Sequence, residues 1–150
     1  MKREILINAT SRETRSPAEV EGEYRAGHGG RLPEVPTVSV YDTAYNAAGG
    51  ARPGQEARIV SSITLVRGTR EPVREMSEVL EILDPAKPES VLVRAEKRVE
   101  EAGRGGAVQN TFNIRLPQGM ASGNYPARSQ LYVNGRSAGE NRGTLRVLGS

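Results

Sequence analysis

The chain has 150 residues, of which 36% are hydrophobic and 26% charged, with no Cys, no Trp, one Phe, five Tyr and a formal net charge of +3. This length favours one soluble domain that buries about 70% of its unfolded surface without a metal or disulfide staple. The missing Cys excludes thiol catalysis, thiolate zinc sites and a disulfide framework; no apolar run approaches the ~18 residues of a membrane helix.

In chain order, Ile5, Leu6 and Ile7 predict a short strand at 4–9. Only these three apolar residues follow Lys2-Arg3, too few for an export signal. The chain is therefore expected in the cytoplasm if Met1 is the native start, and in the periplasm or secreted if an export signal was removed. Segment 16–36, with Gly27, Gly29, Gly30, Pro33 and Pro36, reads as loop or flexible arm. Residues 1–36 are thus an N-terminal strand and arm ahead of a domain at 37–150. Val38 and Val40 mark a strand at 37–41, and the Gly/Pro-rich stretch 46–54 is a loop. In 55–67, Ala57, Ile59, Ser61, Ile63 and Leu65 share one face, the period of a half-buried strand.

Segment 72–83 fits two patterns. Val73, Met76, Val79, Leu80 and Leu83 make a helical stripe, whereas Met76, Leu80 and Ile82 make a less regular strand face. Strand is preferred because Arg67-Gly68-Thr69-Arg70 reads as a hairpin link from the strand before it; Pro85 and Pro88 end the segment either way. Val91, Val93, Ala95 and Val99 place a strand at 90–99. In 107–116, Val108, Asn110, Phe112, Ile114 and Leu116 share a face, which puts the one Phe in the core. In 124–134, Tyr125, Ala127, Ser129, Leu131 and Val133 oppose Pro126, Arg128, Gln130 and Tyr132. Asn134-Gly135 then tolerates positive φ at both positions and predicts a two-residue hairpin to a strand at 136–148. Seven to eight short, mainly antiparallel strands with frequent turns predict an all-β sandwich.

The stretch Phe112-Asn113-Ile114-Arg115-Leu116-Pro117, then Gly119-Met120, Gly123-Asn124-Tyr125 and Leu131-Tyr132-Val133-Asn134-Gly135, resembles the closing half of bacterial immunoglobulin-like accessory domains. Pro53-Gly54-Gln55 is similar to their earlier half. The resemblance covers about 37–148 and implies an immunoglobulin-like sandwich with Tyr125 as the corner tyrosine, its hydroxyl bonded back to the chain. The two cysteines and buried Trp of antibody-type members are absent. A second, shorter stretch, Met1–Arg15, resembles the opening of the ribonuclease E/G family. It spans about 15 residues, and none of that family's catalytic carboxylates has a counterpart later in this chain.

Motifs for chemistry are few. His28 is the single histidine, so a two-His metal site is excluded, and Gly27-His28-Gly29-Gly30 reads as a mobile exposed loop. Gly103-Arg104-Gly105-Gly106 reads as a hairpin loop rather than an RNA-contacting element. Glu71, Glu75, Glu78, Glu81 and Asp84 form an acidic run without the turn glycine of a calcium loop, and are expected on a solvated strand face. No nucleophile–base pair is evident, so the expectation is a non-enzymatic binding or assembly module with no cofactor and no metal, acting on a protein partner through loops or open sheet edges. The candidate surface is loop 41–54, where Tyr41, Tyr45 and Arg52 are residue types enriched at interface hot spots. The alternative is nucleic-acid or other polyanion binding through the last third of the chain, where Arg104, Arg115, Arg128, Arg136, Arg142 and Arg146 face a single acid, Glu140. The N-terminal strand either folds back as an edge of its own sandwich or adds to the sheet of a second copy to make a homo-oligomer.

Overall fold

A computed structural model of the protein describes residues 6–99 and 105–149. Its elements run β1 (Leu6–Arg15), α1 (Pro17–Gly27), β2 (Thr37–Ala44), β3 (Glu56–Val66), β4 (Met76–Leu83), β5 (Val91–Arg98), β6 (Gly106–Arg115), β7 (Gly123–Val133) and β8 (Arg136–Val147). Two four-stranded sheets, ordered β1-β6-β3-β2 and β5-β4-β7-β8, pack face to face with every neighbouring pair antiparallel. The fold is an all-β sandwich. Period-two alternation is the cause: Ala57, Ile59, Ile63 and Leu65 on β3, Val108, Phe112 and Ile114 on β6, and Tyr125, Ala127, Leu131 and Val133 on β7 all lie buried between the sheets. Each large side chain among them contributes about 1.5–3 kcal/mol by leaving water.

Val133 pairs with Arg136 across Asn134-Gly135, and both turn residues have positive φ, 51° and 78°, as a two-residue hairpin requires. The Asn134 amide does a second job. Its Oδ1 accepts from the backbone N–H of Arg74 and Glu75, and its Nδ2 donates to Pro72 O, fixing the approach to β4.

The doubtful segment is a strand, β4, paired on both sides with β5 and β7. Its apparent helical stripe has a simple origin. Met76, Leu80 and Ile82 face the other sheet, while Val79 and Leu83, on the outer face, are also covered, so apolar residues occur at both strand and helix spacings.

Three expectations are corrected. Residues 67–70 do not join a hairpin, because β3 and β4 lie in different sheets; Thr69 and Arg70 instead donate backbone N–H groups to Pro33 O and Glu34 O. The link after β5 likewise crosses from one sheet to the other rather than closing a hairpin around Gly103-Arg104-Gly105-Gly106, and residues 100–104 lie outside the described ones. Segment 16–36 is not simply a flexible arm, since it contains α1. Ser16 caps that helix, its Oγ accepting from Glu19 N–H at 3.2 Å, with Pro17 in the first turn. Val20 of α1 packs on Val66 and Ala107 on the outside of the first sheet, with Tyr24 and Leu32 beside it. The expected N-terminal strand extends to Arg15 and pairs with β6 of its own chain at the sheet edge.

Two glycines separate packing from backbone entropy. A Cβ on Gly143 would sit 2.5 Å from the Tyr45 ring, whereas one on Gly22, inside α1, meets nothing within 4 Å. Gly143→Ala is expected to destabilise by about 1–3 kcal/mol, and Gly22→Ala to stabilise by about 0.4–1 kcal/mol. Urea unfolding of the two variants should give opposite signs; a Gly143→Ala variant as stable as the parent would show that the close fit of Tyr45 against β8 is not rigid.

Candidate functional site

The structure separates the three residues expected to form a binding surface. Tyr45 is buried, its hydroxyl contacting Ser129 Oγ and donating to Asn141 O, both at 2.9 Å. Tyr41 is half-buried and turns its hydroxyl inward onto Glu78 at 2.6 Å. Only Arg52 is exposed, with Nε donating to Gly149 O at 3.1 Å. The expected loop 41–54 is shorter than that, because Tyr41 lies within β2, which continues to Ala44 and pairs with β3; the link after it is held down. Ala51 bridges to Val147, and the Asn46 side chain bonds Thr144 O and Arg146 N–H, so residues 46–51 cover the free edge of β8.

What Tyr41 reaches is the main departure from the sequence reading. The acidic run does not form one solvated face, because spacings of three put Glu78 and Glu81 on opposite sides of β4. Glu81 points outward to Arg128 of β7. Glu78 points between the sheets and is fully buried. Its Oε2 accepts from Tyr41 Oη (2.6 Å) and Ser61 Oγ (2.5 Å), and its Oε1 from Asn110 Nδ2 (2.7 Å). These donors come from β2, β3 and β6, the three neighbouring strands of the opposite sheet. Thr43 Oγ1 extends the network, contacting Ser61 Oγ at 2.8 Å and Ser129 Oγ at 2.9 Å and accepting from Asn141 Nδ2.

None of the groups hydrogen-bonded to Glu78 is a cation. Burial pushes its carboxyl above the ordinary range, with the three donated hydrogen bonds pulling the other way. Burial, followed by the nearby carboxylate charge, raises the Tyr41 hydroxyl as well. Asn110 Oδ1 is the buried side-chain polar atom left without a partner among the described residues. Rotating that amide would present Oδ1 to a protonated Glu78, so the pair can serve either charge state of the carboxyl.

Among the described arginines of the last third, Arg128 and Arg142 stand opposite each other on β7 and β8, and three of the five are paired with acids. Arg128 pairs with Glu81, Arg136 with Glu71 and Arg142 with Glu140, while Arg115 and Arg146 are exposed and Arg104 lies outside the described residues. Hydrogen bonds from Asn134 and Arg136 lower the Glu71 carboxyl, and Arg142 lowers that of Glu140. His28 is exposed as expected, but it is the helix cap rather than part of a mobile loop: its ring stacks on Tyr24 at 3.8 Å and its Nδ1 contacts Tyr24 O. No group of three or more His, Cys, Asp or Glu is placed to hold a metal ion among the described residues, and none of their helices is long and apolar enough to cross a membrane.

One open cleft has an apolar lining. It lies at the end of the sandwich where the links 45–55, 84–90 and 116–122 gather, has a volume of about 440 Å³, and is walled by Pro85, Leu92, Pro117, Met120 and Tyr125, with Asp84 at its side. Tyr125 shapes it as a corner tyrosine should, its hydroxyl donating to Ala121 O at 2.7 Å and closing the 121–125 turn. Asp84 is oriented by its own turn, Oδ1 accepting from Ala86 N–H at 2.8 Å.

No family model matches the chain, and no curated protein matches it in sequence; the likeness of Met1–Arg15 to ribonuclease E/G thus has no matching model behind it. Among solved structures the chain is similar to the CARDB domain of a Pyrococcus furiosus protein, crystallised in complex with di-metal ions. That match has a TM-score of 0.49 and 10% identity over 79% of this chain and 93% of that one. It is also similar to the N-terminal domain of a Streptococcus gordonii adhesin (0.46, 8% identity, 79% and 33%). A third is a glycosyl hydrolase family 2 member from Bacteroides cellulosilyticus (0.44, 12% identity, 75% and 15%). At these identities no residue's role carries over.

The raised Glu78 carboxyl makes a pH-dependent contribution to stability of known sign. Its folded value lies above the unfolded one of about 4.3, so the contribution is fully present below that pH and is lost as pH rises through the folded value. Glu78→Gln keeps the shape, can face Asn110 Oδ1 with its amide, and carries no charge. The stability of Glu78→Gln relative to the parent is expected to rise as the pH is raised over the range above about 4.3. Glu78→Ala should lose about 3 kcal/mol near pH 4 by stranding three donors and leaving a void, and, having no carboxyl, its deficit should shrink as the pH rises. Thermal or urea unfolding across this range checks both; a Gln variant that tracks the parent at every pH would mean the carboxyl is not held in its buried, raised state.

Proposed function

We propose that the chain is a non-catalytic binding or assembly module that holds a protein partner at the sandwich end carrying the 45–55, 84–90 and 116–122 links. The end cleft is the observation that carries this reading. A concave site of this size lined mainly by Leu, Met, Pro and a Tyr ring suits an apolar side chain. Asp84 is the charged group in that lining, so a partner segment with an apolar residue beside a Lys or Arg fits it best. Rigidity supports the same reading: the corner tyrosine and the Asp84 turn preorganise the cleft, so little ordering entropy is lost on binding. Of the expected trio this reading keeps Arg52, exposed on the adjoining link though outside the cleft lining, and leaves Tyr41 and Tyr45 to the interior network. Polyanion binding by the last third is the weaker reading, since three of its arginines are committed to ion pairs.

Selection from a phage-displayed random peptide library tests the proposal. Enriched peptides should carry an aromatic or aliphatic residue next to a basic one. Met120→Glu should weaken their binding by at least about tenfold, a change of about 1.4 kcal/mol, and Asp84→Asn should relax the preference for the basic residue. A library that yields no binder, or binders indifferent to both substitutions, overturns the assignment.

A further inference from the structure

We propose a second site on a different face: the outer surface of the β1-β6-β3 sheet binds an anionic sugar, with Arg12 and Arg58 holding its sulfate or phosphate groups. A polar groove of about 510 Å³ runs over this face. Register places its parts. On β6, Gln109, Thr111 and Asn113 point outward along the middle; Arg12 of β1 stands opposite Gln109, Thr10 opposite Thr111, and Arg58 of β3 opposite Asn113. The two arginines therefore sit diagonally on either side of Thr111, their backbones about 16 Å apart from strand spacing and rise, and their guanidinium groups border the same groove.

Three features point to the ligand. The first is uncompensated charge. Arg58 has no hydrogen-bond or ion-pair partner among the described residues, and Arg12 spends one N–H on Gln109 Oε1 at 3.1 Å, leaving N–H pairs that fit an oxyanion bidentately. Among the described residues no acid lines the groove, although Glu56, opposite Arg115, shares the outer face with Arg58 two residues away. The second is the floor between the arginines, made of hydroxyl and amide side chains that both donate and accept, as sugar hydroxyls require. The third is that no aromatic ring lines it, which removes the stacking platform that single-stranded nucleic acid uses. Charges near the two ends of a hydroxyl-rich floor match a sugar bearing one or more ester anions better than a bare ion.

The test uses the isotopically labelled full chain, titrated separately with a sulfated disaccharide, its desulfated counterpart, a sugar phosphate, inorganic sulfate and a short thymidine oligonucleotide, followed by amide chemical shifts. Saturable shifts confined to Thr10–Arg12, Arg58 and Gln109–Asn113 are expected with the charged sugars, and the tighter of the two separates sulfate from phosphate as the natural group. Arg58→Gln and Arg12→Gln should each weaken binding about tenfold with the rest of the spectrum unchanged, while Met120→Glu, in the end cleft, should leave it unaltered. Binding of inorganic sulfate or the oligonucleotide as tight as that of the sugars would overturn the proposal. So would equal binding of the desulfated sugar, shifts elsewhere, no saturable shift, or indifference to both substitutions.

Discussion

A carboxyl group without a cation sits at the centre of this sandwich, and the alignment of the two sheets depends on it. Glu78 belongs to one sheet and takes all three of its hydrogen bonds from the other, from Tyr41, Ser61 and Asn110 on adjacent strands. Apolar contacts alone tolerate small sliding, because transfer of area from water carries no direction. Hydrogen bonds do not: shifting one sheet by a residue would strand these donors and the carboxyl in the core, at about 1–3 kcal/mol for each unsatisfied group. Thr43, Ser129, Tyr45 and Asn141 carry the same tie to the opposite margin of the sandwich, so polar pairing spans the width of an otherwise apolar interior.

That alignment explains the close approach of β2 and β8. The rings of Tyr41 and Tyr45 lie over Gly139 and Gly143, positions where a Cβ would come within 2.9 and 2.5 Å of them. Both tyrosines are present for their hydroxyls as much as their rings, and the glycines make room for the rings. Link 46–51, pinned to β8 from above, closes the edge that those glycines would otherwise leave thin.

Charge follows the same logic of neighbours. The acidic stretch around β4 and the basic last third look like two opposed blocks along the chain, yet β4 and β7 are adjacent, and Glu81–Arg128 and Glu71–Arg136 neutralise them across and beside the ladder. Among the described residues, Arg12 and Arg58 on the other sheet are guanidinium groups without a paired acid, in parts of the chain with no conspicuous excess of basic residues. Surface available for recognition thus divides into an apolar cleft at one end and a polar, positively charged face on one side.

Strand identity was legible locally, because side-chain alternation and the Asn134-Gly135 turn are properties of neighbouring residues; so was the inward face of each long strand, down to Ser61, Asn110 and Ser129 as its polar members, and the corner role of Tyr125. Helix α1 also left a local trace, the Ser16-Pro17-Ala18-Glu19 cap, but Gly22 and a single buried residue, Val20, hid it. Sheet membership was not legible: the links 67–70 and 99–105 look like hairpin turns in composition, and which strands they join is decided by partners far along the chain. The role of Glu78 was hidden for the same reason. In sequence it interrupts the apolar face of β4 and resembles its acidic neighbours. Only the opposing strands, 17 to 37 residues away, supply the donors that make burying it possible, and hydrogen-bond partners at that distance exist only once the two sheets have closed.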